Sequence, residues 1–169
     1  MNKKLIIGNW KMNPEKSSEA RDIGDKIIAV GLGLEKTTTV IAPSFLHIGL
    51  FDLKKGLDNV FLGAQSVSVD IEGAHTGEVN EKMLKDQNVS YVIVGHSEER
   101  GRGIMDEVVS GKALNVLEND MKPVICIGEK SRDADSGAHY DFLKEQIKAS
   151  LAYIPKKYST DIVIAYEPV

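Results

Sequence analysis

Two charged side chains close apolar runs at opposite ends of the chain. Leu5-Ile6-Ile7 gives way to Gly8-Asn9-Trp10-Lys11-Met12-Asn13, and Ile162-Val163-Ile164-Ala165-Tyr166 gives way to Glu167-Pro168-Val169. Between them, His96 follows Tyr91-Val92-Ile93-Val94-Gly95. An ammonium, an imidazole and a carboxylate can hold negative charge and move protons. Short apolar runs bounded by turn residues read as strands buried on both faces, and ligands of α/β folds lie at the carboxyl ends of such strands. The chain stops two residues after Glu167, so the sequence reads as an active-site scaffold that ends in mid-fold.

Side chains at strand ends need strands to carry them. The sequence predicts six, at Leu5–Ile7, Thr38–Ala42, Val60–Gly63, Tyr91–Gly95, Pro123–Ile127 and Ile162–Tyr166. Five helices are expected between them. Ala20, Ile23, Ile27 and Val30 recur at three- and four-residue steps, with Gly31 as the stop. The evenly apolar stretch Pro43–Lys55 reads as the second helix, without a clean period. Asn80 can cap a third over 81–86, and Asp106 a fourth that carries Val108, Val109, Ala113, Val116 and Leu117. Tyr140, Leu143, Ile147 and Leu151 stripe a fifth, which Pro155 ends. Strand and helix alternating at roughly thirty-residue intervals demand parallel pairing, because a crossover helix returns the next strand in the same direction. The class is α/β, and by pattern alone an open doubly wound sheet fits better than a closed β/α barrel, which needs about 250 residues.

Composition narrows the function. Lys+Arg 21 against Asp+Glu 25 gives a formal charge of −4, and no basic block stands ready to neutralise a phosphate backbone, so nucleic acid is not an expected partner. The basic start at Lys3-Lys4 precedes only three apolar residues, and no run approaches the ~20 of a membrane span. Cys126 is the one cysteine and forms no internal disulfide, which points to reducing cytoplasm. No linker or low-complexity tract divides 1–169, so one continuous domain is expected.

Five motifs in order change the architectural reading. They are Gly8-Asn9-Trp10-Lys11-Met12-Asn13, Gly73-Ala74-His75-Thr76-Gly77-Glu78, Tyr91-Val92-Ile93-Val94-Gly95-His96-Ser97-Glu98, Pro123-Val124-Ile125-Cys126-Ile127-Gly128-Glu129 and Ala165-Tyr166-Glu167-Pro168-Val169. Together they closely resemble the triosephosphate isomerase family. The resemblance implies an incomplete parallel β/α barrel of the TIM-barrel type, with units one to five and the sixth strand of eight. It implies interconversion of dihydroxyacetone phosphate and glyceraldehyde 3-phosphate, in glycolysis and gluconeogenesis, with no cofactor and no metal. Such a reaction takes a proton from carbon beside a carbonyl, holds an enediolate and returns the proton to the neighbouring carbon. This family is itself the established example of a glutamate base paired with a neutral histidine, so those roles come with the resemblance. By motif position Glu167 is the base, His96 the electrophile and Lys11 the fixed cation, with Asn9 donating a hydrogen bond beside it. Ser97 and Glu98 are secondary, Glu98 matching a carboxylate near Lys11. Thr76 matches the threonine that reaches a neighbouring subunit's site, so a homo-oligomer is expected, a dimer first.

Each assignment has a plainer competitor. Glu167 alone would be a solvated strand-end carboxylate, His96 a satisfied core histidine, Lys11 a snorkelling lysine, Asn9 a turn former and Glu98 a helix-start acid. Cys126 reads as a small core residue. The chain also departs from the family pattern His-Ser-Glu-Arg-Arg: it has His96-Ser97-Glu98-Glu99-Arg100, a negative charge in place of a positive one. That change puts the ion pairs of this loop in question. The loop after strand six, two strands and three helices of the family would lie beyond Val169, so low or absent activity is expected of a truncated chain. Its open strand edges would favour self-association, and non-catalytic assembly or phosphate-ligand binding are the other functional readings.

Overall fold

The computed structural model describes residues 3–53, 59–131 and 137–167. All six predicted strands are present, with boundaries moved by one or two residues: β1 (Lys4–Asn9), β2 (Thr37–Ala42), β3 (Val60–Ala64), β4 (Val89–Val94), β5 (Lys122–Ile127) and β6 (Val163–Tyr166). Their order in the sheet is the order of the chain. Among the described residues six α-helices accompany them, α1 (Ser17–Leu32), α2 (Phe45–Ile48), α3 (Glu81–Asp86), α4 (Ser97–Gly101), α5 (Asp106–Glu118) and α6 (Ala138–Ser150), with a short 3-10 turn at Lys156–Tyr158. None of the described helices is long and apolar enough to cross a membrane. Contacts group the chain into two compact units, Met1–Gln65 with Lys82–Val92, and Ser66–Glu81 with Ile93–Val169.

In the first unit, β1 pairs in parallel with β2 from Lys4↔Thr37 to Asn9↔Ala42, and β2 with β3 from Thr39↔Val60. β3 pairs with β4 through Leu62↔Val89 and Gly63↔Tyr91, with a register shift between Leu62 and Gly63. The fully buried Val40, Ile41, Ala42, Leu62 and Ala64 show why β2 and β3 end in apolar runs, whereas β1, expected to be buried on both faces, leaves Leu5 and Ile6 exposed. The face of α1 differs from the expected stripe. Ala20, Gly24 and Gly31 are buried, whereas Val30 is 65% exposed. Gly31 does not stop the helix, which runs to Leu32 with Gly33 as its C-cap. It lies inside because a Cβ there would come within 2.7 Å of Val60 Cγ2, so its missing side chain lets α1 reach the strands. Asn59 Nδ2 then donates to the carbonyls of Gly31 (2.8 Å) and Leu34 (3.0 Å), tying the helix end down. Gly24 plays the same part over Phe51, whose ring meets Trp10 edge-on with centroids 5.9 Å apart. The helix expected over 43–55 is a single turn, α2, closed by Gly49, with Leu50 and Phe51 continuing as hydrogen-bonded turns. Residues 54 and 55 of that expectation lie outside the described residues.

In the second unit, β5 pairs in parallel with β6 from Val124↔Val163 to Ile127↔Tyr166. The fourth crossover holds two helices rather than one. α4 ends where Gly103 turns at φ 97°, and α5 starts anew after Met105. Asp106 is not the cap: Met105 holds that position without a side-chain bond. Asp106 instead pairs with Arg100 and accepts the Ser150 hydroxyl (3.1 Å). α5 buries Val109, Ala113 and Val116 completely. On α6 the buried face carries Gln146 and Ser150, and Tyr140 of the expected stripe is exposed. Polar residues are accommodated there because tertiary partners meet them: Gln146 Oε1 accepts the Gly128 N–H (2.9 Å), and the Ser150 hydroxyl lies 3.2 Å from an Arg100 nitrogen. The helix ends at Ser150, ahead of Pro155 as expected.

Candidate active site

Asn9 is the last residue of β1, and Lys11 stands two residues on in the left-handed region at φ 54°. Few non-glycine residues sit there, and a local bond holds this one: the Lys11 N–H donates to Asn9 Oδ1 (3.0 Å). Gln65 clamps the turn from β3, its Nε2 donating to the carbonyls of both Lys11 and Ala42 (2.9 Å each). With Asn9 Oδ1 occupied, its amide nitrogen is the end that can donate to a ligand. Gln65 carries no motif of its own and was not legible in the sequence; only the register of β3 beside β2 brings it to Lys11.

His96 follows Gly95, whose φ of 69° turns the chain off β4. It is the N-cap of α4, with φ −55° and ψ 148°, and its Nδ1 accepts the Glu98 N–H (3.2 Å). An imidazole nitrogen that accepts must be the unprotonated one, so the network assigns the neutral proton to Nε2. Glu98 Oε2 lies 3.6 Å from the same Nδ1, and His96 Nε2 is 4.0 Å from Glu167 Oε2.

Glu167 follows β6 and donates its N–H to the Ile127 carbonyl (2.9 Å), which continues the parallel ladder one step past the strand. Its carbonyl passes so close to Gly128 that a Cβ there would overlap it. Ser97 Oγ donates to Glu167 Oε2 (2.9 Å), and the Glu167 side chain remains 55% exposed. Below lies a cavity of about 370 Å³ lined by Gly95, Ser97, Arg100, Cys126, Phe142 and Glu167 among others. Burial first, and then the negative charge of Glu167, push the Cys126 thiol up to about 11, so it is an inert neutral wall. Beside it Tyr166 donates its hydroxyl to the buried Glu129 (2.9 Å).

The structure therefore brings His96, Ser97, Glu98 and Glu167 together in the second unit, and Asn9 and Lys11 together, with Gln65, in the first. Thr76 sits on an exposed turn between Gly73 and Gly77, both at positive φ, which the Glu78 N–H closes on the His75 carbonyl (3.2 Å). Glu99, where the motif departs from its pattern, has an ion pair of its own: Lys112 Nζ lies 3.0 Å from Glu99 Oε1, and Ser66 donates to the same oxygen (2.5 Å).

This is an α/β protein of parallel strands, and its second unit sets an imidazole, whose Nδ1 accepts a backbone N–H, 4.0 Å from a carboxylate at the end of a strand. Comparison with known proteins specifies the class. The family model described as Triosephosphate isomerase matches residues 4–169. A triosephosphate isomerase of Cutibacterium acnes is 39% identical over 171 residues, covering 98% of this chain and 66% of that protein. One from Vesicomyosocius okutanii is 38% identical and covers 100% of this chain and 68% of its own length. The crystal structure of triosephosphate isomerase from Bartonella henselae superposes with a TM-score of 0.84 at 31% identity, over 99% of this chain and 68% of that one. The chain belongs to the triosephosphate isomerase family, and its six parallel strands with their helices are the β/α-barrel type of that fold. It spans about two thirds of the length of these relatives.

Proposed function

We propose that this chain carries the proton-moving machinery of triose phosphate interconversion. Glu167 removes a proton from the carbon beside the substrate carbonyl, His96 Nε2–H donates to the carbonyl oxygen as charge develops there, and Glu167 returns the proton to the neighbouring carbon. Lys11 offsets the phosphate and oxyanion charge, and Asn9 Nδ2 donates beside it. The observation that carries this reading is the imidazole: with Nδ1 accepting the Glu98 N–H, Nε2 is a donor, and at 4.0 Å it is too far from Glu167 to spend its proton on that carboxylate. Donor and base are thus both available to a substrate placed against them. Activity of the 169-residue chain alone should be low. A base whose side chain is more than half exposed keeps its hydration, and a closed, dry site is what makes such electrostatics strong. Conversion of glyceraldehyde 3-phosphate, followed by NMR, should exceed that of the Glu167→Gln variant. Equal rates in the two samples would remove Glu167 as the base.

A second reading has its own observation. Among the described residues, β1 and β6 each have a strand neighbour on one side only, and they expose Leu5, Ile6, Ile164 and Tyr166. Unpaired edges with apolar side chains favour association of copies, a dimer first, with Thr76 offered to the neighbour's site. Light scattering checks this: a concentration-independent monomer mass excludes it.

A further inference from the structure

The residue before His96 is gripped from both sides by charged side chains of α4. Gly95 N–H donates to Glu99 Oε2 (3.1 Å), and the Gly95 carbonyl accepts from Arg100 Nε (2.6 Å). Both grips are anchored in turn. Glu99 Oε1 accepts from Ser66 and from Lys112 Nζ (3.0 Å), and Arg100 donates to Asp106, to the Cys126 carbonyl (3.0 Å) and to Ser150. Glu99 and Lys112 are largely withdrawn from water, with side chains 20% and 9% exposed. Gly95 has no side chain to fix its peptide planes, and a glycine takes positive and negative φ about equally readily, so its own preference does not set the turn. Its orientation comes from these bonds, and the next residue on that backbone is His96.

We infer that Glu99 and Lys112 are positioning residues for His96: Lys112 fixes the Glu99 carboxylate, Glu99 holds the Gly95 N–H, and the Gly95 backbone sets where His96 presents its Nε2–H. The inference rests on His96 as the electrophile of the proposed reaction, but its test does not depend on turnover. A buried ion pair acting only as filling can be replaced by apolar side chains of similar volume with little consequence. A positioning pair cannot. The measurement is the imidazole 15N spectrum of the histidine-labelled chain, with the His96 signals assigned by their loss in His96→Asn, alongside hydrogen exchange of the Gly95 amide. The intact chain should show one nitrogen of pyridine type and one of pyrrole type. In the double variant Glu99→Leu with Lys112→Met, the Gly95 amide should exchange at least tenfold faster and the His96 signals move toward a mixture of tautomers, while cooperative unfolding persists. Glu99→Asp keeps the charge for Lys112 but withdraws the carboxylate by one methylene, so it should lose the Gly95 bond and give the same shifts; it decides the matter if the double variant does not fold. Unchanged His96 signals and Gly95 protection in the folded variants would overturn the inference. Loss of turnover without these spectral changes would also count against it, whereas spectral changes in a chain that shows no turnover would uphold it and reject the isomerase reading instead.

Discussion

The two turns that present reactive side chains are built on different principles. At Lys11 the chain accepts a strained left-handed lysine and secures it with neutral bonds, one from its own Asn9 and two from Gln65. At His96 the left-handed position falls on Gly95, one residue earlier, and the turn is secured by the charged Glu99 and Arg100, each backed by buried partners. The first arrangement presents a long, exposed cation from a turn held by neutral bonds. The second fixes a short ring whose protonated nitrogen must point one way. A point charge tolerates some freedom because its field is long-ranged; a hydrogen-bond donor does not, because its strength falls steeply with angle.

Breaking the two turns should therefore cost different amounts. The largest loss is expected at Glu99→Ala, which strands the buried Lys112 without its counter-charge: about 3–5 kcal/mol by denaturant unfolding. Gly95→Ala should follow, at about 2–4 kcal/mol, since strain at positive φ adds to the crowding of a Cβ that would stand 2.8 Å from both Val109 and the Arg100 guanidinium. Gln65→Ala should cost only about 1–2 kcal/mol, because it removes two bonds to carbonyls at a partly open site; faster exchange of the Lys11 amide would report the loosened turn. Gly8→Ala, on the strand leading to Lys11, should stay within about 0.5 kcal/mol of the parent, as the new Cβ meets only ordinary contacts at 3.8 and 3.9 Å. Least affected of all is Cys126 chemistry near neutral pH. With its thiol held up to about 11, roughly one molecule in a thousand is thiolate at pH 8, so iodoacetamide labelling of the native chain should be very slow there and accelerate only toward pH 11.

What the sequence made legible follows the same division. The inner strands were readable because burial on both faces leaves continuous apolar runs, as at Val40-Ile41-Ala42; β1 and β6 are apolar too, but among the described residues they are half exposed rather than buried on both faces. Helix faces were readable only in part: the stripe Val109, Ala113, Val116 and Leu117 of α5 is buried as expected, but on α1 Gly24 and Gly31 face the strands through close approach, a signal that a hydrophobic stripe cannot register, and Val30 is left outward. The evenly apolar 43–55 stretch promised more helix than the single turn of α2, because apolar residues without a period fill space in turns as readily as in helices. Motif order pointed to Asn9 and Lys11 in the first unit and to His96, Ser97, Glu98 and Glu167 in the second, all of which carry recognisable chemistry. Gln65 and Lys112 act through partners 54 and 13 residues away, and nothing local in the sequence marks them. Glu99 was visible only as a departure from pattern; that its carboxylate is paired with Lys112 and bonded to the Gly95 N–H required coordinates.

Deuterium uptake tests the central claim most directly. If Glu167 shuttles the proton while His96 holds the oxyanion, glyceraldehyde 3-phosphate incubated with the chain in deuterium oxide should gain deuterium at the carbon beside its carbonyl faster than in buffer. That excess should vanish in Glu167→Gln and fall in His96→Asn. Uptake at the buffer rate with the unaltered chain, or excess uptake that survives Glu167→Gln, would contradict the account.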